Sequence, residues 1–329
     1  MNRQSFEKKL EALEALRSTP GSAGTVDQVR KALRDRNNYY VSKAAAIAGD
    51  LLMSEMVPDL IAAFERFLVD PVKADPQCWA KNAIAKALKG LGHCDPAVFL
   101  RGLVHFQPEP IWGGQSDTAP ALRGTCALAL IQCQLDDRAI LTHLTDALAD
   151  PEKPVRLDAA MAIAQLARPE GALLLRLKAL AGDPDPEVTG QCLAALVSLE
   201  PQASVEFVGR FLKAADEDVR SEAVGALAKS REAEAFQLLK NYWRTRLSPE
   251  MRRVVLTSLG ASPLPEAAEF LVTAVKEEPT DVAVHALEAL GVSRFRLEVG
   301  ERVAAIVEDR QEARLRHAFE QEFRKAGEV

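Results

Sequence analysis

The stretch DPEKPVRLDAAMAIAQL, Asp150 to Leu166, decides how the whole chain is read. Counted from Val155, apolar or small residues fall at offsets 0, 4, 5, 7 and 8: Val155, Ala159, Ala160, Ala162 and Ile163. That spacing traces one face of an α-helix. Asp150-Pro151 just ahead of it is a helix-start signal, because Asp caps exposed amides and Pro fits the first turn. The same five columns recur from anchors Ala80, Leu122, Val188, Val219, Met251 and Val282. Taken in order through Val155, the anchors are 42, 33, 33, 31, 32 and 31 residues apart. The +7 column is small throughout (Ala87, Ala129, Ala162, Ala195, Ala226, Ser258, Ala289), so neighbouring backbones can approach closely.

Ahead of each of these helices the pattern predicts another amphipathic helix. The seven are Val57–Leu68, Pro96–Phe106, Asp137–Ala149, Gly171–Ala181, Gln202–Lys213, Glu232–Arg246 and Glu266–Glu277. Each unit is then a two-helix hairpin, which cannot bury its apolar face alone but does so when stacked. The chain 1–329 is expected to be one all-α domain, a right-handed α-solenoid of about nine stacked hairpins. A repeat around Val41 in NNYYVSKAAAIAGDLL is uncertain in register by one. The ends read as caps: a helix in 1–20 with Phe6, Leu10, Leu13 and Leu16 on one face, and a charged hairpin over 296–329.

Composition agrees with this class. The 329 residues are 48% hydrophobic and 27% charged but only 5% aromatic, so wholesale disorder is excluded. Lys plus Arg total 41 against 47 Asp plus Glu, a formal charge of -6, which lacks the basic profile of a nucleic-acid binder. Residues 1–90 carry 14 basic and 11 acidic side chains, and the other 239 carry 27 and 36, so the excess acidity lies beyond residue 90. No apolar run approaches the roughly 18 residues of a membrane span, and MNRQSFEKKLEAL has no apolar leader core. Cys78, Cys94, Cys126, Cys133 and Cys192 are scattered with no CxxC pair, which fits free thiols in a reducing cytoplasm.

The unit length and the recurring Asp…Val-Arg…Ala-Ala…Ala-Leu pattern resemble HEAT-like repeats, particularly the short bacterial type found in phycobilisome lyase subunits. The resemblance rests on Asp75/Lys81, Asp117/Arg123, Asp150/Arg156, Asp183, Arg220 and Arg252. It implies hydrogen-bonded Asp–Arg ladders between neighbouring hairpins. Thr189 and Ala283 replace the basic residue, and no Asp precedes Val219, Met251 or Val282 at that spacing, so the ladder pattern breaks in the C-terminal half.

No enzyme motif is present: there is no GxGxxG, GxxxxGK[ST] or GxSxG, and His93, His105, His143, His285 and His317 are isolated. Neither a catalytic residue, nor a metal ligand, nor a cofactor is expected. The expectation is a non-enzymatic cytoplasmic scaffold or adaptor that binds a protein or peptide. Second helices of such repeats usually line the concave surface, where Asn82, Lys86, Leu128, Leu157 and Met161 are placed by their offsets. The 42-residue step marks an insertion, QPEPIWGGQSDTAP, Gln107 to Pro120, read as an edge loop presenting Trp112 and Gln115. Trp112 either contacts a partner or folds back over the hairpin top. Trp79 and the Tyr242–Arg246 run are read as packing and as a helix end. The resemblance leaves two other functions open, a lyase-like accessory subunit acting on a chromophore-bearing protein and a glycosylase-like nucleic-acid binder. Net charge and sparse aromatics oppose the second, and only Lys43, Lys81, Lys86 and Lys89 favour it.

The column assignment is testable by itself. Ala162→Phe should force stacked helices apart and lower stability by about 1–3 kcal/mol, read from denaturant midpoints. A variant that unfolds like the parent would place Ala162 off the packed face.

Overall fold

The computed structural model describes residues 3–18 and 23–324, so the remaining positions of the two expected caps (1–2, 19–20 and 325–329) lie outside the described residues. Two compact units divide the chain, Met1–Leu166 and Ala167–Val329. The first begins with helix Arg3–Glu14 and continues through four helical pairs: Ala23–Leu33 with Asn38–Asp50, Val57–Leu68 with Trp79–Gly90, Pro96–Leu103 with Pro120–Leu130, and Asp137–Leu148 with Lys153–Leu166. The second holds five: Pro169–Ala181 with Pro186–Leu199, Pro201–Gly209 with Glu217–Ala228, Ala233–Trp243 with Pro249–Gly260, Pro265–Glu277 with Thr280–Gly291, and Arg296–Arg310 with Ala313–Phe319. Each unit is an all-α stack in which successive second helices pack on one another.

The periodic columns are the core. Offsets 4, 5 and 8 are buried in all seven repeats, and offset 7 in all but Ser258. The early repeat takes Tyr40 as its anchor rather than Val41, with Ala44, Ala45, Ile47 and Ala48 buried behind it. Turn residues cap as their chemistry dictates: Asn37, Asp95, Asp136, Asp216 and Ser248 each accept a hydrogen bond from a first-turn amide. Two first helices are shorter than the pattern predicts. One stops at Leu103, where the chain turns into the insertion, and another at Trp243.

In the first unit the stack also encloses charge. Asp75 and Lys81 are wholly buried. The Asp75 carboxylate accepts from the amides of Ala80 (2.9 Å) and Lys81 (3.0 Å), from Asn38 Nδ2 (2.9 Å), and from Lys81 Nζ at 3.0 Å. Buried Arg123 bridges two repeats: Nε and Nη2 donate to Asp150 (2.7 and 3.0 Å), and Nη1 to Asp117 (2.6 Å) and the His105 carbonyl (3.0 Å). Each charge is thus met by several partners, which is what makes its burial tolerable. Arg156 donates to the carbonyls of Asp150 and Pro151, and Arg220 to those of Ala214 and Ala215. Arg252 lies over the Trp243 ring instead, 4.6 Å from its centroid.

The insertion is not a loop. Pro108–Ile111 (β1) and Gly114–Asp117 (β2) form an antiparallel hairpin in the register Ile111↔Gly114, with Gly113 at φ +87° in the turn. Its base is anchored by polar side chains. Buried Gln107 donates to the Asp75 carbonyl (2.8 Å), and the Glu109 carboxylate accepts from Gln77 N, Gln107 Nε2 and Thr118 Oγ1, each at 2.7 Å. Gln77 and Cys78 are both left-handed (φ 62° and 54°), strain of order 1–3 kcal/mol each that the Gln77–Glu109 bond helps to hold. Burial by itself would raise the carboxyls of Glu109 and Asp117, but their hydrogen bonds, and for Asp117 the Arg123 guanidinium, hold both below their ordinary values.

Two outcomes follow from this packing. A Cβ at Gly260 would lie 2.4 Å from the Ala289 carbonyl oxygen, whereas one at Gly225 meets nothing within 4 Å. Gly260→Ala should therefore destabilise by about 1–3 kcal/mol, and Gly225→Ala should stabilise by up to about 1 kcal/mol, compared by thermal melts. Because the folded carboxyls of Glu109 and Asp117 are depressed, their contribution is complete above the ordinary carboxylate range. It is lost as pH falls through their folded values. Glu109→Gln should cost about 1–3 kcal/mol at pH 7 and flatten the loss of stability below about pH 4.5, read from denaturant midpoints across pH.

Candidate interaction surface

The hairpin presents apolar side chains to water. Trp112, at its tip, is 101% exposed, so its indole packs against nothing and does not fold back over the hairpin. Beside it Ile111 is exposed, as are Val104 and Phe106 in the preceding connection and Val69 and Val72 in the connection that Gln107 and Glu109 contact. One face of Phe106 is covered by Arg123, whose guanidinium sits 4.0 Å from the ring centroid. Gln115 is exposed on β2.

The other expected site residues lie apart from Trp112, on the face of three successive second helices. Asn82 and Lys86 belong to Trp79–Gly90, Leu128 to Pro120–Leu130, and Leu157 and Met161 to Lys153–Leu166. Lys86 is exposed and the other four are half-buried. Asn82 accepts from Thr125 Oγ1 at 3.2 Å, which with Gly124 is buried rather than lining the face. Trp79, read as a packing residue, packs edge-on to Tyr39 at 5.4 Å while half of it stays exposed on this same face. Lys43 sits over the Tyr39 ring, 5.3 Å from its centroid.

Offsets also put Asp158 on this face, but sequence reasoning did not see what it meets. Its carboxylate occupies the space left by Gly124, where a Cβ would come within 2.0 Å of Oδ2. Burial raises its carboxyl above the ordinary value, opposed by the nearby Lys89 and Lys86 ammonium groups. The second unit repeats the device, with Glu222 over Gly190. The available signal was a glycine at offset +2 followed, one repeat later, by an acid at +3.

The cysteines belong to the fold. Burial pushes the thiols of Cys78 and Cys192 up to about 12 and of Cys133 to about 11, and raises Cys126, so all four are held as small hydrophobes. Among the described residues no group of three or more His, Cys, Asp or Glu could hold a metal ion, and no helix is long and apolar enough to cross a membrane.

No curated protein sequence matches the chain. Among solved structures it is similar to the complex of CpcE and CpcF of phycocyanin lyase from Nostoc sp. PCC7120. That match has 19% identity and TM-score 0.37, covering 83% of this chain and 90% of that one. It is also similar to an engineered protein from the Northeast Structural Genomics Consortium, at 17% identity and TM-score 0.35, covering 97% and 95%. Likenesses at these values carry no function across. Residues 173–247 and 211–291 match the family described as HEAT repeats, the same span in which the structure shows stacked helical pairs. Over residues 173–291 the chain therefore carries HEAT repeats.

Proposed function

We propose that this chain is a non-enzymatic scaffold that binds a protein or peptide partner through the second-helix face of its first unit and the edge hairpin. The observation that carries the reading is the exposed indole of Trp112. A network of buried polar groups fixes the hairpin base, yet its tip holds Ile111 and Trp112 in water, where they contribute nothing to folding. Tryptophans held rigidly at a surface are the commonest anchors of protein interfaces. The half-buried Asn82, Leu128, Leu157 and Met161 with exposed Lys86 supply a mixed apolar and polar face of the kind an interface uses.

A second reading, nucleic-acid binding, is favoured by one grouping. Trp79 and Tyr39 lie on the face that also carries Lys43, Lys86 and Asp158. It requires oligonucleotide affinity that strengthens steeply as salt falls.

Capture from nuclease-treated native lysate, comparing the parent with Trp112→Ala, separates the possibilities. The expected result is a defined protein retained by the parent and weakened by about 2 kcal/mol, roughly thirtyfold, in the variant, with unchanged thermal stability. Equal retention would take the hairpin out of the interface and leave the second-helix face, tested by Lys86→Glu. Retention of nucleic acid alone, abolished by moderate salt, would replace the scaffold reading.

A further inference from the structure

In the second unit, first helices Ala233–Trp243 and Pro265–Glu277 touch only sparsely, whereas Pro265–Glu277 packs closely on Arg296–Arg310. Aromatic side chains stand in the gap. Phe270 lies edge-on to Phe236 at 6.3 Å and to Trp243 at 5.7 Å. Trp243 is pinned, since Nε1 donates to Glu278 at 3.2 Å and Arg252 covers its ring. What remains is an open groove of about 710 Å³ in the outer helical layer, away from the second-helix face. That volume lies within the range of ligand and peptide sites.

The walls differ in charge. Lys240 and Arg244 come from one side, and Glu266, Glu269, Glu277 and Glu278 from the other. Glu269 is engaged by Arg302 at 2.7 Å and Glu278 by Trp243, while Glu266 and Glu277 are exposed at the rim. The floor is ring edges, with Phe236 and Trp243 nearly buried and Phe270 half-buried.

We propose that this groove docks a basic amphipathic segment of a partner polypeptide. An apolar side chain of the segment rests on the Phe236–Trp243–Phe270 floor. Its Lys or Arg side chains lay their aliphatic stems along the rings and place their charges against Glu266 and Glu277. With Glu269 paired to Arg302, the three other carboxylates against the two lining cations disfavour an acidic segment in the same place. The inference stands independently of the hairpin and of the first unit.

The test uses the full chain and a fluorescein-labelled fourteen-residue probe peptide with Phe and Leu four residues apart and Lys at the other positions, read by anisotropy. The parent should bind it saturably and prefer it to the same peptide with Glu in place of Lys. The double variant Glu266→Lys/Glu277→Lys should bind at least roughly tenfold more weakly. The exposed pair Glu55→Lys/Asp146→Lys, which changes net charge equally, should bind like the parent. Equal affinity in both double variants, preference for the Glu peptide, or no saturable binding up to about 1 mM would overturn the proposal. So would a dimer in sedimentation that Glu266→Lys/Glu277→Lys dissolves, because the groove would then belong to a second copy of the chain.

Discussion

Everything in this molecule depends on how closely one second helix lies on the next. The small side chains at offset 7 and the glycines near the helix ends set that distance. A Cβ on Gly49 would sit 3.2 Å from the Ala87 Cα, and one on Gly260 would meet the carbonyl of Ala289. Helices held this near leave no room for large groups between them, so bulk is displaced to the outer layer and to the connections. The aromatic pairs of the second unit, Phe236–Phe270 and Trp243–Phe270, lie there. The same closeness shapes the second-helix face, because Asp158 and Glu222 fit only where the preceding helix offers Gly124 and Gly190.

The first unit adds a constraint of a different kind. Asp75, Lys81 and Arg123 are fully buried, and removing any partner of such groups leaves an uncompensated charge in a poorly polarisable interior. The β1–β2 hairpin is part of that balance, since Asp117 completes the contacts of Arg123, and Gln107 and Glu109 join it to Asp75 and Gln77. A segment tied down by charge-assisted bonds at its base is a rigid mount, and rigidity is what lets an exposed Trp112 bind without a large loss of conformational freedom.

The helical part of this fold was legible because periodic burial leaves a periodic trace. Offsets 0, 4, 5, 7 and 8 could be read from letters alone, and the structure buries all of them except the half-buried Val219, Ser258 and Val282. The hairpin left no such trace. Pro108 and Pro110 argue against strands, and only Glu109 of β1 is buried, so the alternation that marks a half-buried strand is missing. Its pairing is imposed by tertiary polar contacts from Gln77, Gln107 and Thr118, which no local window contains. Asp158 was hidden for a related reason, since its importance lies in a glycine one repeat earlier. The exposure of Trp79 was not legible because its position beside an anchor looks internal, whereas the start of the helix leaves half of it in solvent beside Tyr39.

The uneven charge along the chain acquires a physical meaning from these surfaces. Whole-chain charge describes no interface, because exposed charges more than about 10 Å apart are largely screened from one another. What a partner meets is local: Lys43, Lys86 and Lys89 near the second-helix face of the first unit, and Glu266 and Glu277 at the rim of the groove in the second. Stacked repeats permit this division because each hairpin contacts only its neighbours, so residues off the packed columns can change without disturbing the core. A family match therefore fixes the columns and leaves the recognition chemistry open. That chemistry resides in the positions where this chain departs from its own repeat: the inserted hairpin, the Asp158–Gly124 pair and the aromatic gap at Phe270.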